Sequence, residues 1–259
     1  MNYALITGAS KGIGKAIAFE LARRNYAVIL VARNEDLLQE LATTLRNQFS
    51  VQAEYFAIDL TQKGAPEKIV QFCVEKNLNI NILVNNAGYG LSGAIDKYDL
   101  SQHTDMMQLN MNVPVTLSYL LLPQLKLQQA AYILNVASGA SYQAVPGLNI
   151  YAASKAFVLS FSRGLNYELK NTSVSVTALS PGATDTDFAN RASVTSAKAQ
   201  KLAKQFNMQP QEVARIAVTG MFARRAEIIP GFVNKLAVFF AWLLPKKLLE
   251  KSAAGIYDL

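Results

Sequence analysis

Two kinds of segment alternate along the chain. Short, nearly unbroken apolar runs stand at 3–7 (YALIT), 27–32 (AVILVA), 51–58 (VQAEYFAI), 81–85 (NILVN), 131–138 (AYILNVAS) and 173–180 (SVSVTALS). Between them lie longer stretches, 12–24, 35–48, 65–77, 99–127 and 150–170, of helical length and amphipathic character. Strands that are apolar throughout, rather than striped, are those buried on both faces, and strand–helix alternation makes such a sheet parallel. The pattern predicts an α/β chain, a single doubly wound domain over 1–259 with a central parallel sheet of about seven strands flanked by helices. Ligands of such sheets bind at the carboxyl ends of the strands, where the winding reverses, so chemistry is sought there.

The last third is less regular. Residues 187–226 suggest two helices, the second starting at Gln209-Pro210, because proline is tolerated in a first turn. The extension 227–259 carries an apolar run from Leu236 to Leu244, well short of the roughly twenty residues a bilayer span needs. Three readings of it stand open. It completes the pocket or a subunit interface; it lies on a membrane surface through 230–251, with Phe232, Phe239, Phe240 and Trp242 in the lipid and Lys235, Lys246 and Lys247 meeting anionic headgroups; or it is an ordinary core helix.

Composition narrows the function classes. A chain of 259 residues with 51% hydrophobic content can bury a sizeable core. The net charge of +7 is spread along the chain rather than gathered into a basic block, so nucleic acid is not expected as a partner. One cysteine, Cys73, and no secretory pattern at the amino terminus point to the cytoplasm, with membrane-surface association as the variant. Cys73 reads as a packing residue and His103 as a surface residue, and no cluster has metal-ligand spacing.

The first strand end, TGASKGIG, places Gly8, Gly12 and Gly14 between strand and helix. Missing side chains permit a tight turn there, and the helix amino terminus offers unpaired N–H groups to a phosphate. Ser10, Lys11 and Ile13 complete this dinucleotide cradle. The second strand ends in Arg33 and Asn34. An arginine at that place accommodates a 2′-phosphate, whereas a carboxylate would bind the free ribose hydroxyls, so NADP(H) is expected over NAD(H). Lys11 adds positive charge, and Ser10 and Asn34 are hydrogen-bonding neighbours. Asp36, the competing carboxylate, reads as a first-turn helix residue favoured by the dipole.

With NNAG at 85–88 and YAASK at 151–155, these residues give a chain that resembles the short-chain dehydrogenases/reductases, from residue 3 to about 190. The resemblance implies a Rossmann fold and a nicotinamide-dependent oxidoreductase. It further implies that Asp59 contacts adenine, with Leu60 beside it, and that Asn86, Ala87 and Gly88 belong to a structural and cofactor motif. In SPGATDT, Pro181 and Gly182 would shape the nicotinamide wall, Thr184 would stand in the same segment, and Thr186 would reach the carboxamide. The region 187–226 would cover the substrate, and the chain would form a homodimer or homotetramer.

The chemistry can also be argued from the groups. Carbonyl reduction needs a hydride and a proton delivered to the oxygen. A free tyrosine, with pKa about 10, is a poor exchanger near neutrality. Lys155, one helical turn from Tyr151 on the same face, is expected to lower that pKa. Through the resemblance, Lys155 would also bind the nicotinamide ribose. Ser138, thirteen residues before Tyr151, has the family's spacing for the serine that orients the substrate oxygen, with Ser141 as the neighbouring alternative. Asn110 precedes Pro114 by four residues. Because proline has no N–H, the Asn110 carbonyl is expected to lose its helical partner and the helix to kink, with Asn112 as competitor. In the family the matching main chain holds a water. The expected activity is a NADP(H)-dependent interconversion of a ketone or aldehyde with an alcohol, on a hydrophobic or lipid-like small molecule. The alternatives are a 3-oxoacyl carrier-protein reductase and a cofactor-binding sensor or scaffold without turnover.

Overall fold

Seven parallel strands in the order β3-β2-β1-β4-β5-β6-β7 form the centre of the molecule. The computed structural model describes residues 1–188 and 192–257. The strands are β1 (Asn2–Thr7), β2 (Ala27–Ala32), β3 (Ala53–Ala57), β4 (Asn79–Asn85), β5 (Ala131–Val136), β6 (Val174–Leu179) and β7 (Glu227–Ile228). They are connected and flanked by α1 (Gly12–Arg23), α2 (Glu35–Phe49), α3 (Ala65–Glu75), α4 (Leu100–Met107), α5 (Val113–Lys126), α6 (Asn149–Glu168), α7 (Ala197–Phe206) and α8 (Pro210–Phe222). Two further helices, α9 (Phe232–Leu243) and α10 (Lys246–Ile256), follow the last strand.

Alternate residues of each strand feed two cores. Ile6, Leu30 and Val84 pack with Ile17, Leu38 and Val213 on one side; Leu5, Ile29 and Leu83 pack with Ile69, Leu117 and Leu121 on the other. In register, Leu5 lies between Ile29 and Leu83, and Ile6 between Leu30 and Val84, so β1 has apolar neighbours on both edges. The winding reverses between β1 and β4, and the loops leaving these strands meet there.

A buried polar ladder crosses the sheet next to that reversal. Asn85 Nδ2 donates to Asn135 Oδ1 at 2.8 Å, and Asn135 Nδ2 donates to Ser162 Oγ at 2.9 Å. Ser162 passes its own proton to the Val158 carbonyl at 2.6 Å. The chain of bonds ties β4 to β5 and β5 to α6, the helix that carries Tyr151 and Lys155.

Four expectations are corrected by packing. The helix expected at 99–127 is divided by a π turn, Gln108–Asn112, in which the Val113 N–H reaches the Gln108 carbonyl; this widened turn, not a simple kink, takes up Pro114. The second helix of 187–226 begins at Gln209-Pro210 as expected, yet α8 buries Val213, Ala217 and Met221 against the sheet and leads into β7, so it is a core-flanking helix. Residues 189–191 of that region, and 258–259 of the extension, lie outside the described residues. His103 is buried rather than superficial, because its Nε2 lies 2.9 Å from the Ile95 carbonyl and Tyr98 meets its ring edge-on. An ordinary core helix at 232–243 is also overturned, since α9 turns its large apolar side chains outward. Among the described residues, no helix is long and apolar enough to cross a membrane.

The ladder yields a test. Asn135→Ala removes a partner from both Asn85 and Ser162 in the dry interior, and should destabilise the chain by roughly 2–4 kcal/mol. Urea denaturation should show a lower midpoint with an unchanged slope.

Candidate active site

The turn after β1 is held by side chains from β4. Thr7 Oγ1 donates to the Val84 carbonyl and accepts the N–H groups of Asn86 and Ala87 at 3.0 and 3.1 Å. Asn86 Nδ2 returns bonds to the carbonyls of Thr7 and Gly8 at 2.9 and 3.2 Å. The backbones approach so closely that side chains are excluded: a Cβ on Gly8, whose φ is +65°, would sit 2.8 Å from Asn86 Nδ2, and one on Gly14 would sit 2.4 Å from the Gly8 carbonyl oxygen. Ser10 lies half-buried in this loop, while Ile13 packs against the core. Lys11 precedes α1 without capping it, and the first turn contains no acidic residue. The positive end of the helix dipole is therefore left to the loop.

At the end of β2, Arg33 is largely exposed and its guanidinium stands 3.9 Å from Asp59. Asp59 is otherwise engaged by Thr61, whose N–H and hydroxyl donate to it at 3.0 and 2.9 Å. Asn34 caps α2 by accepting the Leu37 N–H, and Asp36 lies in the first turn of that helix. Leu60 is buried in the second core, so its side chain packs inward. Lys11 leans toward Asp187, 3.7 Å away, across the mouth of the cradle.

Tyr151 and Lys155 are both buried, 8% and 5% exposed, although they sit on adjacent turns of α6 at the edge of the crevice. Lys155 Nζ donates to the Val136 carbonyl at 2.8 Å and stands 5.9 Å from the centre of the Tyr151 ring. Burial pushes the phenol up to about 12; a hydrogen bond with Ser138 pulls it down in part, and Tyr257 pushes it up further. Burial brings the lysine down to about 8. The expected depression of the tyrosine by the lysine is thus absent from this arrangement. The ammonium is directed at a backbone carbonyl, and the loss of water acts on both groups.

Ser138 follows β5 and opens a 3₁₀ turn, Gly139–Tyr142. Its Oγ accepts the Ala140 N–H, while Ser141 Oγ accepts the Ser138 N–H; it is Ser138, not Ser141, that meets Tyr151. Asn110 is buried in the π turn. Its side chain clasps both backbone groups of Tyr89, accepting at 3.2 Å and donating at 3.0 Å, and donates to Ser154 Oγ at 3.0 Å. Gly88 lies between these elements, since a Cβ there would fall 2.9 Å from Asn110 Oδ1 and 3.2 Å from Lys155 Nζ.

The remaining wall comes from the segment after β6 and from the chain's end. The Pro181 carbonyl accepts the Gly139 N–H at 2.8 Å, and Thr184 Oγ1 donates to the Gly182 carbonyl at 3.1 Å. Thr186 lies over Gly12, its Cγ2 3.1 Å from where a Cβ would be. Three residues here escape sequence reasoning. Phe188 packs on Tyr151 with ring centres 5.2 Å apart, Tyr257 joins the same apolar cluster, and Asn234 fills the space over Gly182. None belongs to a recognisable spacing; each arrives by tertiary packing.

The sequence model of the family described as short chain dehydrogenase matches residues 2–197. An uncharacterized oxidoreductase of Staphylococcus saprophyticus is 34% identical over 215 residues, which cover 83% of this chain and 88% of that one. Among solved structures, the short-chain dehydrogenase from Sphingobium yanoikuyae in complex with NADPH is similar with a TM-score of 0.82, at 30% identity, over 100% of this chain and 96% of its own. The bulky-bulky ketone specific alcohol dehydrogenase from Comamonas testosteroni is similar with a TM-score of 0.76, also at 30% identity, over 94% and 93% of the two chains.

The buried lysine makes a pH-dependent prediction. Its folded pKa, about 8, lies below the ordinary 10.5, so folding is penalised in full below pH 8 and the penalty fades as pH rises toward 10.5. Lys155→Met should therefore raise the melting temperature at pH 7, and that advantage should shrink between pH 8 and 10.5. Calorimetry over this range checks the sign.

Proposed function

Because the chain belongs to the short chain dehydrogenase family, we propose that it is an NADP(H)-dependent oxidoreductase that interconverts a ketone or aldehyde with an alcohol on an apolar small molecule. The observation that carries this reading is the grouping of half-buried Ser138 with buried Tyr151 and Lys155, beside the turn at Gly8 and Gly14 that leaves no room for side chains. A dinucleotide fits the residues present: the turn has no room for Cβ atoms, and Lys11, the residue before α1, does not cap its positive end. Gly8, Ser10, Lys11, Gly12, Ile13 and Gly14 would hold the pyrophosphate side, and Arg33 and Asn34 the 2′-phosphate. Asp59 and the backbone at Leu60 would border adenine. Asn86, Ala87 and Gly88 would flank the nicotinamide ribose from one side and Pro181, Gly182, Thr184 and Thr186 from the other. The complex of the Sphingobium enzyme with NADPH supports the choice of cofactor.

When bound, NADPH supplies the hydride. The protein's task is then to hold the carbonyl and to deliver a proton. Ser138 and Tyr151 would share the substrate oxygen as hydrogen-bond donors, which stabilises the charge that develops on it. Tyr151 is protonated at neutral pH, the form that carbonyl reduction requires, although burial makes it a weaker acid than a free tyrosine. Lys155, near 8, can exchange a proton close to neutrality and so restore the phenol. Asn110 would act by position, fixing Tyr89 and Ser154 around the pair. Leu91, Met106, Val145, Phe188 and Tyr257 pack in one apolar cluster with Tyr151, which supports an apolar substrate. Phe157 and Phe161 stack with ring centres 6.2 Å apart on α6, Phe157 partly exposed, which supports assembly of like chains through that helix.

Two variants test the assignment. Tyr151→Phe should lower turnover roughly 100- to 10,000-fold on a panel of ketones of graded chain length while NADPH affinity stays near wild type; intact turnover would remove Tyr151 from the reaction. Arg33→Ala should weaken NADPH by roughly 10- to 100-fold and leave NADH nearly unchanged, as fluorescence titration would show; equal losses would remove the phosphate role.

A further inference from the structure

Helix α9 is built inside out. The side facing the protein is narrow and carries Asn234, Val238 and Ala241 over the 3₁₀ turn after β5; Asn234 donates to the Pro230 carbonyl at 2.7 Å. At 100° per residue the remaining positions sweep the outer surface, and these hold Phe232, Leu236, Phe239, Phe240, Trp242 and Leu243. All six are exposed, Phe232 by 73% and Trp242 by 76%. Phe239 touches both Phe240 and Trp242, with ring centres 5.7 and 6.4 Å apart, so the residues form one continuous surface. A globular chain leaves so broad an apolar face only where something covers it.

Charge around the face identifies the cover. Between residues 229 and 257 there are four lysines, Lys235, Lys246, Lys247 and Lys251, against a single acid, Glu250. Lys246 binds the Ala241 carbonyl at 3.0 Å and so joins α10 to the end of α9. Lys247 and Lys251 are exposed on α10, on the side that also exposes Leu248. Aromatic rings beside a rim of lysines match the boundary of an anionic lipid layer, in which rings enter the acyl edge and ammonium groups meet phosphate. A second copy of the chain fits less well, because a two-fold interface through this face would bring each lysine rim toward its own copy. We propose that the outer face of α9, with the lysine rim of α10, docks this protein on an anionic lipid surface. The inner side of the same pair of helices reaches the active site through Ala253 and Tyr257, so the docked surface and the pocket wall are two sides of one structure.

Trp242 is the chain's only tryptophan, so its emission reports on this face alone. The full chain is mixed with vesicles of phosphatidylcholine, with or without phosphatidylglycerol, and followed by emission and co-sedimentation. Binding with a blue shift is expected on the anionic vesicles, about 100-fold tighter than on phosphatidylcholine alone and weakened by salt. Phe239→Ser/Phe240→Ser should abolish it while melting temperature and NADPH affinity hold, and Lys247→Glu/Lys251→Glu should erase the preference for anionic lipid. Absence of both shift and sedimentation overturns the proposal. So does a blue-shifted emission in buffer without vesicles, accompanied by a dimer mass that the phenylalanine double variant loses; that outcome assigns the face to a second copy. Turnover does not enter this test, so its result is independent of the reaction assigned to Tyr151.

Discussion

The close approach of two loops at the point where the sheet reverses direction governs the site. Thr7 and Asn86 exchange bonds across the ends of β1 and β4, and Gly8 and Gly14 come so near that a single added carbon would meet backbone or amide. Because this knot sets the cradle, it also sets what lies beyond it. Gly88, two residues after Asn86, is pressed against Asn110 and Lys155, so the glycine turn and the Tyr151–Lys155 pair are spaced by one short stretch of backbone. Parallel strands feed this knot from both sides, and the apolar contacts of Leu5 and Ile6 with β2 and β4 keep it in register.

Burying a lysine and a tyrosine on one helix is a net cost to folding, met by the surrounding packing. The polar ladder Asn85–Asn135–Ser162 and the Asn110 clasp on Tyr89 are the rigid supports that allow it, since each replaces lost water with a directed bond. Tyr151, Lys155 and Tyr257 are all perturbed where catalysis is proposed. Cys73 shows the contrast. Its thiol is pushed up to about 12 by burial alone, in the core between α3 and the sheet.

Six of the seven strands were legible because each is an apolar run bounded by polar or glycine-rich sequence, and β7 was not, because two residues make no pattern. The positions of the glycine turn and of Tyr151 and Lys155 on one helix were legible for a related reason: spacing along a strand–turn–helix unit is itself geometry. Burial is not. The sequence shows that Tyr151 and Lys155 share a helical face but not that both lose their water, so the direction of the tyrosine shift was misjudged. His103 was misplaced likewise, as its neighbours come from Ile95 and Tyr98 in a separate turn. Phe188, Asn234 and Tyr257 could be found only by folding the chain, for the residues they meet at the candidate site, Tyr151 and Gly182, lie 37 residues or more away in sequence.

The carboxyl-terminal helices extend this logic to the surface. Burial normally sorts a helix so that its large apolar residues face inward, and α8 obeys that rule with Val213, Ala217 and Met221. Helix α9, only ten residues later, reverses it while keeping an ordered inner stripe and a satisfied Asn234. The reversal is local, sharply bounded and followed by the exposed lysines of α10, which are the features of a surface shaped for an apolar, negatively charged neighbour rather than of a misplaced core. The same segment packs against Tyr151 through Ala253 and Tyr257. An apolar cluster around Tyr151 on the inner side of this helical pair and an apolar outer face on its other side place the proposed site where a molecule held in that neighbour would be close at hand.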